Sequence, residues 1–399
     1  MTQANRRRPV RSCGVLAALL LLAAGCSAAE PDKPAGLQGS PATGPAPSAA
    51  LSAEGPPIPA ASRRVTLAAV GDVLIHRSLY EDARTGTGFN FTPMLEAVKE
   101  ELETADIAVA NQESVTGGTA LGLSDYPSFN SPHEAADALK QAGIDVVTMA
   151  NNHALDRGEK ALRSAIRHWR ELGVEYAGAS DSEADRSRLR LVERSGIRLA
   201  FLAFTEGTNG IAAPRGRSYL VHRLEERRMK QEIAEARRAA DAVIVSLHFG
   251  REYERLPSPA QRRLARQAAD AGADLILGHH PHVLQPPEWI ANRRGGRTLV
   301  VYSLGNFLAA QRQPDPHTRI GAILHAELQL PPAGVNGVPP AVRIGNVRLQ
   351  TTFIRFHGWR SFRVVPLAEA GEADLPEADG VRRSLQAHLQ RWMPDLIVR

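Results

Sequence analysis

The sequence predicts an α/β domain, and three observations predict it. From residue 63 onward, apolar β-type runs alternate with amphipathic helical ones. Several of the apolar runs end abruptly in Asp, Glu, Asn or His. After Phe307 the helical segments give way to consecutive strand-like runs.

The elements follow in order. "VTLAAVGDVLI" reads as a strand, and "FTPMLEAVKEELETA" as a helix with Met94, Leu95, Val98 and Leu102 on one face. "DIAVANQES" is a strand running into polar residues. "SPHEAADALKQAG" reads as a helix with Ser131 as N-cap, Pro132 at its first position and Gly143 past its end. "IDVVTMANNH" is again a strand, and "EKALRSAIRHWRELG" a helix. The strands "IRLAFLAFTEG", "AVIVSLHFG", "ADLILGHHPH" and "RTLVVYSLGNF" follow, with the helices "LEERRMKQEIAEARRA" and "PAQRRLARQAADAG" among them. "GAILHAELQL", "VRIGNVRLQTTFIRF" and "SFRVVPL" read as antiparallel strands extending a sheet. "DGVRRSLQAHLQRW" reads as a closing helix, with Val381, Leu385, Leu389 and Trp392 aligned.

The N-terminus has a different texture. Arg6, Arg7, Arg8 and Arg11 precede the apolar stretch "GVLAALLLLAAG", which is short for a membrane span. Cys26 follows "LLAAG", and the arrangement resembles a bacterial lipoprotein signal whose cysteine is lipidated. The alternatives are an ordinary secretory signal or an uncleaved anchor. Residues 1–25 are thus expected as signal, and 26–62, rich in Pro, Ala, Gly and Ser, as a tether with a reach of about 35 Å if flexible. A domain over 63–370 and a closing helix and tail over 371–399 complete the expected organisation. The implied location is extracytoplasmic, with the lipid as membrane anchor.

Composition removes several function classes. The only cysteines are Cys13, inside the signal, and Cys26, so thiol catalysis, zinc–cysteine sites and disulfides drop out of the mature chain. Removing the four signal arginines from 48 basic residues leaves 44 against 43 acidic ones, so the formal charge falls from +5 to +1. A nearly balanced chain does not point to nucleic acid.

The polar residues that close the strands carry the chemistry. Asp72 follows "LAAVG", Asn111 and Glu113 follow "IAVA", Asn151, Asn152 and His153 follow "VVTMA", and His248 follows "VIVSL". "LILGHHPHVLQP" places His279, His280 and His282 directly after an apolar run. The carboxyl ends of parallel strands form the rim where ligands bind. A set of Asp, Glu, Asn and His there suits Mn, Fe or Zn better than calcium. Singly, each residue has a plainer reading: Asp72 as a turn residue or helix cap, the asparagines as loop residues, each histidine as a hydrogen-bonded one. His76, His133, His222 and His317 read as surface or local polar residues.

Together the motifs resemble the metallophosphoesterase superfamily, and more closely the CapA family of bacterial capsule and poly-γ-glutamate synthesis proteins. The stretches that carry the resemblance are "AVGDVLIHRSL", "ANQESVTGG", "ANNHALDRG", "SLHFGREYERLPSPAQRRLA", "ADLILGHHPHVLQPPEW" and "VVYSLGNFLAAQ", across about residues 65 to 310. The resemblance implies a four-layer α/β/β/α sandwich with a site for one or two divalent metal ions. It implies Asp72, Glu113, Asn152, His248 and His282 as ligands, with His279 or His280 completing the set. Of these two, His280 is assigned to the metal and His279 to substrate. His153 is implied as the catalytic acid, and Arg251 and Glu252 as substrate-side residues. The chain departs from the superfamily where Leu74 stands two residues after Asp72 in place of a histidine, and where Glu113 replaces the bridging aspartate.

Three functions are compatible with this pattern. The first is a lipid-anchored protein of capsule or poly-γ-glutamate synthesis or export, in contact with the anionic polymer or its membrane synthase. The second is a metal-dependent surface phosphoesterase or nucleotidase. The third is a non-catalytic polymer-binding scaffold. If the site is active, metal-assisted hydrolysis of a phosphoester or a γ-glutamyl amide is expected.

Overall fold

The computed structural model describes residues 62–312, 315–332 and 341–399. The expected signal, Cys26 and all but the last residue of the tether lie outside them. The described residues belong to one compact unit.

In chain order the strands are β1 (Arg63–Leu74), β2 (Ile107–Gln112), β3 (Val146–Thr148), β4 (Glu175–Ala177), β5 (Arg190–Arg194), β6 (Ile197–Thr205), β7 (Ala242–His248), β8 (Leu275–His279), β9 (Leu284–Gln285), β10 (Glu288–Ala291), β11 (Arg297–Val301), β12 (Ser303–Leu304), β13 (Asn306–Ala309), β14 (Ile320–Leu330), β15 (Arg343–His357), β16 (Arg360–Pro366) and β17 (Ile397–Val398). The helices are α1 (Arg77–Asp82), α2 (Thr92–Glu103), α3 (Glu134–Gln141), α4 (Gly158–Glu171), α5 (Glu183–Ser187), α6 (Glu226–Ala239), α7 (Pro259–Ala271) and α8 (Ala378–Leu389). One sheet runs β16-β15-β14-β1-β2-β3-β4, with β13 added to β1 and β17 to β15; the second runs β10-β11-β8-β7-β6-β5.

Side-chain alternation along the strands separates four layers. Leu67, Ala69, Ile107 and Val109 face Leu199, Phe201, Ile244 and Leu277 of the other sheet in one buried cluster. The intervening residues Ala68, Val70, Ala108 and Ala110 pack outward on Met94, Val98, Leu139 and Ile166 of α2, α3 and α4. On the far side Leu202, Val243, Val245 and Ile276 pack on Met229, Ile233, Leu264 and Ala268 of α6 and α7. The architecture is α/β/β/α. The strand run after Phe307 is antiparallel, β14 to β1, β15 to β14 and β16 to β15.

Segment 371–399 is integral to this body. Leu385, Leu389, Met393 and Leu396 enter the core between the sheets, and β17 pairs with β15. The expected cap of α3 is corrected. The helix starts at Glu134 after His133, with no side-chain cap, and the Ser131 hydroxyl is turned inward to donate to Ser114 Oγ at 2.9 Å. Gly143 does follow the helix, at φ +100°. Strands β4 and β5 escape a pattern reading because one has three residues and the other, RLVER, lies at a sheet edge.

Two glycines let the strands converge on the site. A Cβ on Gly71, just before Asp72, would sit 1.9 Å from the Gly305 carbonyl oxygen; one on Gly278, just before His279, would sit 1.9 Å from that of Tyr302. Neither glycine is a turn residue. Each removes a side chain where another backbone crosses the strand end.

Candidate metal centre

The two sheets meet at the carboxyl ends of their parallel strands. Asp72 lies near the end of β1, Glu113 follows β2, and Asn152 and His153 follow β3. From the other sheet come His248 at the end of β7 and His279 at the end of β8. Ser246 Oγ reaches Thr148 Oγ1 at 3.3 Å, and His248 Nε2 lies 2.9 Å from Asn152 Oδ1, so polar contacts span the gap between the sheets. His280 and His282 sit on the turn after β8 at φ +96° and +59°. Such angles cost a non-glycine residue roughly 1–3 kcal/mol each, and the strain here aims two imidazoles into one space.

Glu113 is the centre of the group. Its Oε1 is 3.5 Å from His248 Nε2 and 3.7 Å from His282 Nε2. Donor atoms of Glu113, His280 and His282 lie within 4.8 Å of one another. Both Glu113 oxygens and the Nδ1 of His280 are buried without a hydrogen-bond partner among the described residues. A buried carboxylate with no donor is costly unless a cation satisfies it. The mixed oxygen and nitrogen donors suit a borderline divalent ion, so these residues fit the metal that the sequence implies.

Asp72 holds this group from behind. Its Oδ1 accepts from the Asn111 amide at 2.8 Å and lies 3.3 Å from His279 Nδ1. Its Oδ2 lies 3.1 Å from His282 Nδ1 and accepts from the His280 backbone N–H at 3.3 Å. The resemblance implies Asp72 as a direct ligand. Here its oxygens face these donors, and it also orients His282.

Charge follows geometry. Burial disfavours ionised Asp72, but His279 and His282 hold its carboxyl well below the usual range. Burial pushes the Glu113 carboxyl well up; His282 opposes this, while the Asp72 charge adds to it. His282 loses by burial but gains from Glu113 and Asp72, and rises to about 9. Burial and then His282 lower His280 to about 4; burial and then His280 lower His248 well below its ordinary value.

His153 faces a cavity of about 500 Å³, lined also by His76, Tyr253 and His282. Its Nδ1 lies 2.7 Å from Asp156 Oδ2, which also accepts from the Phe129 backbone N–H at 2.7 Å. Asp156, which the sequence pattern does not single out, fixes the imidazole so that its other nitrogen is the one left for a ligand. Its only sequence signal is its place three residues after His153. Asn306 is a second residue that pattern reading misses: its Oδ1 lies 3.0 Å from His282 Nδ1.

Other expected residues fall elsewhere. Arg251, expected on the substrate side, is exposed and pairs with Glu254 at 3.4 Å. His279, expected to meet substrate, is buried against Asp72. Glu252 does line the cavity. Of the histidines read as surface or local polar residues, His76 and His222 are the local polar kind, both buried: His76 Nδ1 lies 2.9 Å from the Leu74 carbonyl and 3.1 Å from the Ala310 nitrogen, and His222 contacts Ser180 Oγ at 2.9 Å.

Residues 66–311 match the family model described as bacterial capsule synthesis protein PGA_cap. The chain is 32% identical over 265 residues to the capsule biosynthesis protein CapA of Bacillus anthracis, covering 63% of this chain and 61% of that one. It is 36% identical over 180 residues to the PGA biosynthesis protein CapA of Bacillus subtilis, covering 45% and 46%. The match thus spans less than two thirds of either relative. Among solved structures, a 5'-nucleotidase precursor from Thermus thermophilus gives a TM-score of 0.43 at 14% identity, covering 83% of this chain and 59% of that one. At that score the fold rests on the layers and registers described above.

Proposed function

The chain belongs to the bacterial capsule synthesis protein family PGA_cap, and from that membership we propose that it acts in the synthesis or export of a poly-γ-glutamate capsule, at a divalent metal site. We further propose that Cys26 anchors it by lipid to the outer face of the cell membrane, beside the synthase. The observation that carries the metal site is Glu113, whose two oxygens are buried without donors among histidine nitrogens.

Glu113, Asn152, His248, His280 and His282 are the residues that would hold the ion, with Asp72 as a further carboxylate at its edge. When bound, a divalent ion supplies Lewis acidity toward a carbonyl or phosphoryl oxygen and makes water more acidic. The rest falls to the chain itself. Asn306 and Asp72 hold the His282 ring in place. Asp156 holds His153, which delivers a proton to the leaving group from the cavity wall. The strained turn at His280 and His282 keeps both rings at the strand ends.

Metal analysis of the purified chain beside His282→Ala tests this reading. One or two equivalents of Mn, Fe or Zn are expected in the parent, and a loss in the variant. Parent protein that is folded but takes up none of these ions would overturn the metal site. A Cys26→Ser variant that stays in the membrane fraction of cells would overturn the anchor.

A further inference from the structure

We propose that the mouth of the His153 cavity recognises an anionic chain through Arg77 and Arg312, which act as its specificity-determining cations. The proposal rests on the function just argued and names the residues that read the substrate. Arg77 and Arg312 line the same cavity as His153 and His282. Both are exposed, and neither has an ion pair among the described residues.

The fold holds these two cations at one mouth. His76 precedes Arg77, and its Nδ1 lies 2.9 Å from the Leu74 carbonyl oxygen and 3.1 Å from the Ala310 nitrogen. That contact sets the end of β1 beside the segment leaving β13, two residues before Arg312. Arg77 then opens α1, a fixed element. The Arg312 guanidinium lies 5.6 Å above the Trp359 ring, which positions it while leaving its charge intact.

The cavity also has carboxylates, Asp125 and Glu252. Glu252 is exposed, on the stretch that follows His248 at the end of β7. Asp125 acts on His76 and Tyr80. The two carboxylates equal the two arginines in number, so the net positive charge facing an anionic chain is the one the metal would supply at the histidines, and Arg77 and Arg312, exposed and without ion pairs among the described residues, set where the carboxylates of the chain lie along the mouth. The volume of about 500 Å³ suits a segment of chain rather than a lone small ion.

The test measures binding of a fluorescent γ-linked glutamate oligomer to the metal-loaded full chain. The comparators are a γ-linked glutamine oligomer and a nucleoside monophosphate. The parent is expected to bind the glutamate oligomer and not the neutral one. An Arg77→Ala/Arg312→Ala double variant should lose about tenfold in affinity, as two exposed ion pairs are worth, and much of its salt dependence. Its metal content should match the parent, and Arg77→Lys/Arg312→Lys should recover most of the binding. Arg251→Ala, whose charge lies off the cavity, should bind like the parent. Equal binding by parent and double variant overturns this proposal and leaves the capsule function standing. A parent that binds the nucleotide but neither oligomer, or binds nothing, overturns both.

Discussion

The Nδ1 of His282 lies 3.0 Å from the Oδ1 of Asn306. Asn306 has no freedom to turn its amide the other way, because its Nδ2 donates at 2.8 Å to Gln311 Oε1 and again at 2.8 Å to the Thr318 carbonyl. The oxygen therefore faces His282, Nδ1 carries the proton, and Nε2 is directed at Glu113 as a ligand nitrogen.

Asn306→Ala should accordingly weaken metal binding by about 10–100-fold while the chain stays folded. Competition against a chelating dye reads this directly. An affinity unchanged from the parent would mean that Asp72 alone fixes the ring.

Asp72→Ala should cost stability even without metal. It removes the carboxylate from His279, Asn111 and the His280 N–H at once, and leaves His282 with Asn306 alone. Removing one side of a buried charged contact costs about 3–5 kcal/mol. Urea unfolding of the metal-free protein measures it, and a loss below about 1 kcal/mol would show that the contacts are not those of a charged carboxylate.

Gly278→Ala should destabilise the second sheet, because its Cβ would fall 1.9 Å from the Tyr302 carbonyl oxygen. A cost of about 1–3 kcal/mol or more is expected for such overpacking. Gly207→Ala, where nothing lies within 4 Å, is the control. Equal melting temperatures for the two variants would contradict the close crossing.

His222 should make the fold acid-sensitive. Burial and then the charges of Arg186, Arg190 and Arg228 hold its pKa well below the ordinary 6.5. Its contribution is therefore present above 6.5, where the unfolded chain is also neutral, and is lost as pH falls toward the folded value. The slope is about 1.4 kcal/mol per pH unit. Chemical denaturation between about pH 7.5 and 5.5 should show it on top of the like-signed contributions of His248 and His280, and His222→Gln should reduce the slope by its own share. A variant as pH-dependent as the parent would place the sensitivity on another group.

Much of this was legible in the sequence because it depends on local periodicity. A strand facing two layers reads as a continuous apolar run, and its end shows as a sudden polar residue, as at Asp72, His248 and His279. The family pattern across "ANNHALDRG" and "GHHPH" likewise needs only order along the chain. The sequence alone therefore determined the α/β alternation, the strand-end residues and the family. Tertiary structure decided how those residues divide their work. Whether a carboxylate faces a cation or a histidine depends on crossings such as Gly71 over Gly305 and Gly278 over Tyr302, and on angles such as φ +96° at His280. Asn306 stands 24 residues from His282, and His76 stands 234 from Ala310. Contacts at such separations leave no period in the sequence, because they are set by the packing of one sheet on the other.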